Sequence, residues 1–424
     1  LKMKILYIVH ENLLKENSGT PVVTNQYANL AIKKNCEVCI LSADDNLLEN
    51  SKLDIINQIY YMSIKSFKNW STDAFLKKNN KNFLKINLPF IPDIIHILDW
   101  VKINPEVLRY LTTLKKPIIR HFCGFEDLCY YHHPFYKNID HSLCTEEITP
   151  KMCSECISKK TFKDKKLLKK IKSFIFNEKE KMRIKYFEKL IDRKDIITEH
   201  LKSYYSHLIF PSEAFSKYFF SHFKIEKAYS VIHHGIKKNN EINLIKINSN
   251  KINFIYTGGR AERKGWKIIE EAFSHILKKY PHKLNLRIYG HKKKTSKSSL
   301  KKYPNVEFFE SFSYRELDQT LQWADFGILP SHFETYGLVI REYIHNNVIP
   351  ITSNAFGANE VISNNKNGII LKENNSTQLI NTIENILNNQ NSFFQIRENL
   401  KKTEIISNEF EFEKIFKIYQ NYLN

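Results

Sequence analysis

The sequence predicts an α/β chain of two doubly wound halves facing a cleft, and two observations carry that prediction. At 424 residues the chain is too long for one hydrophobic core and suggests two domains. Two separate stretches alternate short β-branched runs with helical patterns. Such alternation produces parallel sheets with helices on both faces.

In the first half, "KILYIV" (4–9) reads as a buried strand. The glycine-containing loop "ENSGTP" (16–21) leads into a helix over "VVTNQYANLAIKK". "EVCILSA" (37–43), "DIIHIL" (93–98) and "PIIRHF" (117–122) follow as strands, each bounded by polar residues. In the second half, "INFIYTGG" (252–259) precedes a helix over "WKIIEEAFSHILKKY". "LNLRIYG" (284–290), "NVEFFE" (305–310), "DFGILP" (325–330) and "VIPITS" (348–353) complete the strands. Open sheets of this kind bind ligands beyond the carboxyl ends of their strands, so a cleft between the halves is the expected site.

Residues 159–205 form a strongly basic helical stretch, with ten Lys or Arg against three acids from Phe162 to Lys185. It reads either as a solvated helix face packed on the first domain or as an interfacial helix drawn to anionic lipid. The C-terminal "FEFEKIFKIYQNYLN" is a further amphipathic helix.

Composition narrows the partners. The chain is 42% hydrophobic and 26% charged, an ordinary folded protein, with a formal charge of +20. That surplus points to nucleic acid, an anionic membrane face or phosphorylated substrates. Lysine runs such as "KKKTSKSSLKK" (292–302) lack interleaved aromatic residues, so no nucleic acid is expected as a partner. The first apolar run, Ile5 to Val9, is too short for a secretory h-region, and no stretch reaches the roughly 18 apolar residues of a membrane span. The expected location is cytoplasmic, with possible peripheral contact at the inner face of an anionic membrane. Seven cysteines, an odd number, suit a reducing compartment.

Chemistry concentrates in "SHFETYGLVIREYI" (331–344). Glu334 lies in a loop at a strand's carboxyl end, and Glu342 in the first turns of the helix that starts near Gly337, with Val339 and Tyr343 toward the core. Unpaired N–H groups from Gly337 through Leu338 to Val339 form an anion site. Carboxylates beside it would repel an anion unless they accept hydrogen bonds from hydroxyls. A nucleotide sugar meets both demands: its diphosphate on the helix start and one acid on each carbohydrate ring. A cationic partner lies in "YTGGRAERKGW" (256–266). There Arg260 and Lys264 flank a strand-to-helix turn, and Gly258, Gly259 and Gly265 let backbone approach. Both cations would stabilise charge on a departing nucleoside diphosphate.

"GGRAERKG" with the Glu-x7-Glu of "ETYGLVIRE", then "GANEVI" (357–362) and "NGIIL" (367–371), resembles the GT-B retaining glycosyltransferases of family 4. "SGTP", "PDIIHIL" and "FPSEAFSKYF…VIHHGI" (210–236) fit the same order of elements. The resemblance implies two Rossmann-like domains: residues 1–236 on the acceptor side and 237–405 for the nucleotide sugar. Residues 406–424 would be a helix crossing back to the first domain. It implies transfer of a hexose or similar sugar with retained configuration, no metal or other cofactor essential for catalysis, and a glycan or lipid-linked acceptor. Surface polysaccharide or lipooligosaccharide synthesis is the expected setting. A catalytically silent binding module is the alternative.

By position, Arg260 and Lys264 would bind the diphosphate, Glu334 the donor sugar and Glu342 the ribose. Gly337, Leu338 and Val339 would offer amides, and Gly19 would face the phosphates. The family often carries a His-Asp pair after the fourth strand of the first domain. Here Cys123 and Gly124 stand there, with His121 two residues earlier, either in the histidine's role or as a strand-end residue. His234 replaces a common asparagine.

Cys129, Cys144, Cys153 and Cys156 fall in a Cys-rich insertion (123–156). They suit either a structural zinc site, with His132, His133 and His141 as substitutes, or free cysteines in a packed loop. Cys36 and Cys39 read as core.

Overall fold

A computed structural model describes residues 2–11, 19–47, 51–67, 86–129, 144, 149, 152–154, 156, 191, 194–237, 251–290, 298–310, 316–389 and 393–423. Most of the basic stretch at 159–205 and much of the Cys-rich insertion, including His132, His133 and His141, lie outside them. The chain forms two compact units, Leu1–Ile232 with Phe412–Asn424, and His233–Glu411.

Unit 1 carries strands β1 (Lys4–Val9), β2 (Glu37–Asp44), β3 (Ser51–Ile56), β4 (Ile59–Lys65), β5 (Ile94–Ile97), β6 (Ile118–His121), β7 (His207–Phe210) and β8 (Tyr229–Val231). They make one sheet in the order β3-β4-β2-β1-β5-β6-β7-β8. Its described helices include α1 (Gly19–Lys33), α2 (Pro105–Thr113) and α3 (Glu213–His222). β1 is buried except at its first residue, as a strand covered on both faces must be. Ser212 caps α3 by accepting a hydrogen bond from the Phe215 amide at 3.2 Å.

All pairings in this sheet are parallel except β3 with β4. This hairpin departs from the expected all-parallel sheet. Asn57 and Gln58 turn it with φ of 50° and 65°, the two positive values a tight primed turn requires. On the edge strand β3, Ile55 is 63% exposed.

Unit 2 carries β9 (Ile252–Tyr256), β10 (Leu284–Tyr289), β11 (Val306–Phe309), β12 (Phe326–Leu329), β13 (Ile349–Ser353) and β14 (Ile369–Leu371). The order is β11-β10-β9-β12-β13-β14, parallel throughout. Helices α4 (Trp266–Lys279), α5 (Leu317–Gln322), α6 (Leu338–His345), α7 (Ser376–Asn388) and α8 (Phe394–Leu400) complete it. One core unites the strands with Ile269, Phe273 and Ile276 of α4 and Leu379, Ile383 and Ile386 of α7. These positions recur every three or four residues, the helical stripe that faces a sheet.

The last helix, α9 (Asn408–Leu423), carries its residues from Phe412 onward in unit 1. Phe412, Ile415 and Tyr419 lie in that unit's core, and the Tyr422 hydroxyl donates to the Ser206 carbonyl at 2.7 Å. Among the described residues no helix is long and apolar enough to cross a membrane.

Candidate functional site

The strand order decides where unit 2 can hold a ligand. β9 has β10 on one side and β12 on the other, so the order reverses there. The loops leaving the carboxyl ends of β9 and β12 therefore lie where open sheets of this kind bind ligands. These loops, 257–265 and 330–337, are fastened together. The His332 amide donates to the Arg263 carbonyl at 2.8 Å, and the Asn374 side-chain amide reaches the carbonyls of Pro330 and Ser331, each at 3.2 Å. Gly265 has φ +77°, and a Cβ there would lie 2.1 Å from the Pro330 carbonyl oxygen, so the close approach needs glycine.

Lys264 ends the short 3-10 turn Glu262–Lys264. Its Nζ lies 2.5 Å from Glu334 Oε1, and the Ser331 hydroxyl donates to the same oxygen at 2.7 Å. The two side chains are 19% and 8% exposed, so the pair is sheltered but reachable. Burial pushes the Glu334 carboxyl up. The Lys264 charge and hydrogen bond, the Ser331 hydroxyl and Arg263 outweigh it and hold it below its ordinary value. Glu342, on α6, goes the other way. Burial and then the Asp318 carboxylate push it up to about 7, with Lys264 opposing. Both acids are buried, and the difference lies in their neighbours: Glu334 has Lys264 and Ser331 in direct contact, while Glu342 faces the Asp318 charge.

Helix α6 begins at Gly337, φ +75°, with no side-chain cap. Its first amides, including those of Leu338 and Val339, have no acceptor one turn back within the helix. Val339 is only partly buried, while Ile340, Arg341, Tyr343 and Ile344 are buried. Arg341, which sequence reasoning passed over, is 2% exposed. Its guanidinium donates to the Tyr336 carbonyl and stacks 3.8 Å above that residue's ring, which pins the loop to the helix. The Tyr343 hydroxyl meets the Thr257 hydroxyl at 3.0 Å and so ties α6 to the loop after β9. Gly258 and Gly259 are half-buried in that loop, and Arg260 at its tip is exposed.

The remaining candidates lie in unit 1. Gly19 is the exposed first residue of α1, φ +35°. His121, the last residue of β6, is 0% exposed and stacks at 6.0 Å on Tyr27 and 5.4 Å on His96. Cys36 and Cys39 are buried, and Cys129, Cys144, Cys153 and Cys156 are half-buried and not joined in disulfides.

A second charged group in unit 1 was not foreseen. Here the order reverses between β1 and β5. His10, just after β1, places Nδ1 2.9 Å from Oδ2 of Asp99, just after β5. Arg120 of β6, 0% exposed, binds Asp127 at 2.5 Å and also Glu126. It donates to the carbonyls of Leu98 at 2.9 Å and His121 at 2.7 Å as well. Burial works against charge on His10, but Asp99 and then Glu11 and Glu126 raise it to about 9. Burial and Asp99 push Glu126 up to about 8 against Arg120. The acid pair Glu126-Asp127, six and seven positions after Arg120, was the one sequence signal for this group.

The model of the family described as Glycosyl transferases group 1 matches residues 237–403. No curated protein sequence matches the chain. Sucrose-phosphate synthase from Thermosynechococcus elongatus is similar in structure at TM-score 0.67 and 12% identity, over 100% of this chain and 99% of that one. A glycosyltransferase from Rickettsia africae ESF-5 matches at 0.59 and 15%, over 100% and 99%. HepE of Anabaena, solved in complex with UDP-glucose, matches at 0.59 and 13%, over 99% and 100%. The fold is α/β with two doubly wound, Rossmann-like units, matching GT-B glycosyltransferases.

Proposed function

We propose that this chain, whose residues 237–403 match the model of glycosyl transferases group 1, moves a sugar from a nucleoside-diphosphate sugar to a glycan or lipid-linked acceptor with retained anomeric configuration. The observation that carries the reading is Lys264 acting on both Glu334 and Glu342 at the switch point of unit 2, beside an uncapped helix start. Such a site offers cations and amides to a diphosphate and one acid to each hydroxylated ring.

In this reading Lys264 leaves part of its contact with Glu334 for the incoming phosphates, and exposed Arg260 folds over them. The amides of Leu338 and Val339 take the remaining charge. Glu334, ionised at neutral pH, orients the donor sugar through its hydroxyls, and Glu342 holds the ribose. As the bond to the anomeric carbon breaks, charge grows on the leaving phosphate, where the cations act most strongly. The acceptor oxygen attacks from the same face and its proton passes to that phosphate. His121, buried behind Tyr27 in unit 1, is assigned a supporting place on the sugar side, and Gly19 a place near the phosphates. The chain is assigned to family 4 and to surface-glycan synthesis at the inner face of a membrane, in keeping with its charge of +20.

A donor screen by nucleotide release, run on wild type and Glu334→Gln, tests this. We expect one nucleotide sugar to be turned over, with product of the donor's configuration by NMR, and the variant to lose about two orders of magnitude in kcat. Equal release by both proteins would remove Glu334 from the site. Binding of a nucleoside diphosphate with no turnover of any donor would favour the silent module.

A further inference from the structure

Of the four strands that end the two sheets, β3 is the longest at six residues, against three for β8, four for β11 and three for β14. An edge strand holds out unpaired N–H and C=O groups to any extended chain, and proteins blunt such edges with proline, bulges or lone charges. β3, "SKLDII", does none of this. It contains no proline, and it runs without a bulge from Ser51 opposite Ile64 to Ile56 opposite Ile59. Its two charges, Lys52 and Asp54, cancel and bond each other at 2.8 Å. The rest of the chain carries the whole formal surplus of +20.

The two faces of β3 differ. Asp54 lies opposite Tyr61, whose hydroxyl donates to Asn25 Oδ1 of α1 at 3.2 Å, so Lys52 and Asp54 stand on the α1 side of the sheet. The other face is apolar. Leu53 is 46% exposed opposite Met62, and Ile55 is 63% exposed opposite Tyr60. The Tyr60 ring meets Phe90 edge-on at 5.9 Å, and Ile91, next in the chain, is 67% exposed. Two large aliphatic side chains thus stand in water at an open edge, beside Met62 and Tyr60.

We propose that β3 is a dimer seam, pairing antiparallel with β3 of a second copy about a two-fold axis at Leu53. Such an axis passes through a residue and its own copy, and the choice of residue fixes every other pair. At Lys52 or Asp54 it would oppose like charges, at Ile55 it would set Asp54 against Ile56, and axes nearer either end leave few pairs. At Leu53 it sets Lys52 opposite the second copy's Asp54, twice over, with Leu53 against its own copy on the apolar face. Each cation then has an anion beside it along its own strand and another across the seam. Neither a membrane surface nor an arbitrary peptide strand supplies that pattern. Ile55 reaches Leu53 of the second copy diagonally, so the exposed aliphatic side chains leave water together. The eight-stranded sheet of unit 1 runs on into its copy. This inference stands apart from the donor site, and its test needs no substrate.

The full chain is followed by sedimentation velocity over a dilution series under reducing conditions, with circular dichroism to check that each variant is folded. Wild type is expected at twice the chain mass, dissociating on dilution. Asp54→Lys opposes cations at two symmetric places and should raise the dimer dissociation constant about tenfold or more. Lys52→Asp should do the same by opposing anions. Lys52→Asp combined with Asp54→Lys regenerates both cross-strand pairs and should return the wild-type constant. Ile55→Lys, on the other face, should also weaken the dimer and serves as the test if the charge variants do not fold. A monomeric wild type, a dimer indifferent to Asp54→Lys, or a double variant that stays monomeric would overturn the proposal. If a monomeric wild type bound vesicles of anionic phospholipid and Ile55→Lys released it, the patch would be a membrane contact instead. Dimerisation without turnover of any donor would leave this seam standing and the proposed transferase reading in error.

Discussion

Both sheets place an ion pair at the point where their strand order reverses, His10 with Asp99 in unit 1 and Lys264 with Glu334 in unit 2. The surroundings of the two pairs differ. The pairs themselves are equally sheltered, 20% and 10% exposed against 19% and 8%, but the cation beside the first, Arg120, is fully buried. Arg120 spends its guanidinium on two carboxylates and on the carbonyls of Ile97, Leu98 and His121, all in the same unit. In unit 2, Arg260 is exposed, and α6 begins without a side-chain cap. A fully bonded buried network rigidifies a fold, whereas a cation with spare donors beside bare amides can exchange partners with a ligand. On the function proposed above, the same topological position serves structure in one sheet and recognition in the other.

The sharpest way to break this comparison is to remove each cation. Arg120→Met strands Glu126 and Asp127 without their counter-charge, and thermal or urea unfolding should show a loss of about 3–5 kcal/mol. Lys264→Met should cost less in the same assay, because the buried Glu334 carboxylate keeps the Ser331 hydroxyl as a hydrogen-bond donor. Equal losses would mean that both rims are structural.

A second contrast lies in pH. Glu342, raised to about 7, favours the protonated state in the fold. Its unfolded carboxyl ionises near the ordinary value, so native stability falls as pH rises from that value through about 7 and then levels off. Glu342→Gln should therefore raise Tm at pH 8 and change it little at pH 4. It should also remove any fall in donor KM as pH rises through 7. An unchanged Tm difference between the two pH values would contradict the raised carboxyl.

The smallest effect is expected at His10. Its pKa is raised to about 9, so its contribution is complete below the unfolded value and is lost as pH rises through about 9. Asp99→Asn should destabilise the chain at pH 6 and matter less at pH 10, measured by urea midpoints.

The strand and helix order was legible because it rests on local patterns. "INFIYTGG" contains β9, and "GLVIREYIHN" is the helix that begins after Gly337. The β3–β4 hairpin was missed because its turn uses Asn57 and Gln58 at positive φ where no glycine announces it. The loops after β9 and β12 could be named from glycines and charges at strand ends. Arg341 could not, since an arginine inside an amphipathic pattern reads as a solvated residue until Tyr336 is seen beneath it. His121 could be placed at the end of a strand, but not under the ring of Tyr27, which comes from α1.

The amino-acid order by itself determined the two alternating halves and the charged, glycine-bearing loops, because backbone conformation and face periodicity act over a few neighbouring residues. Only the tertiary structure decided which charges meet. Lys264 and Glu334 stand 70 positions apart, and Arg120 finds carbonyls on a neighbouring strand and carboxylates in the following turn. A group's charge state depends on nearby charges and on exclusion of water, both properties of distance in space, which spacing along the chain does not contain.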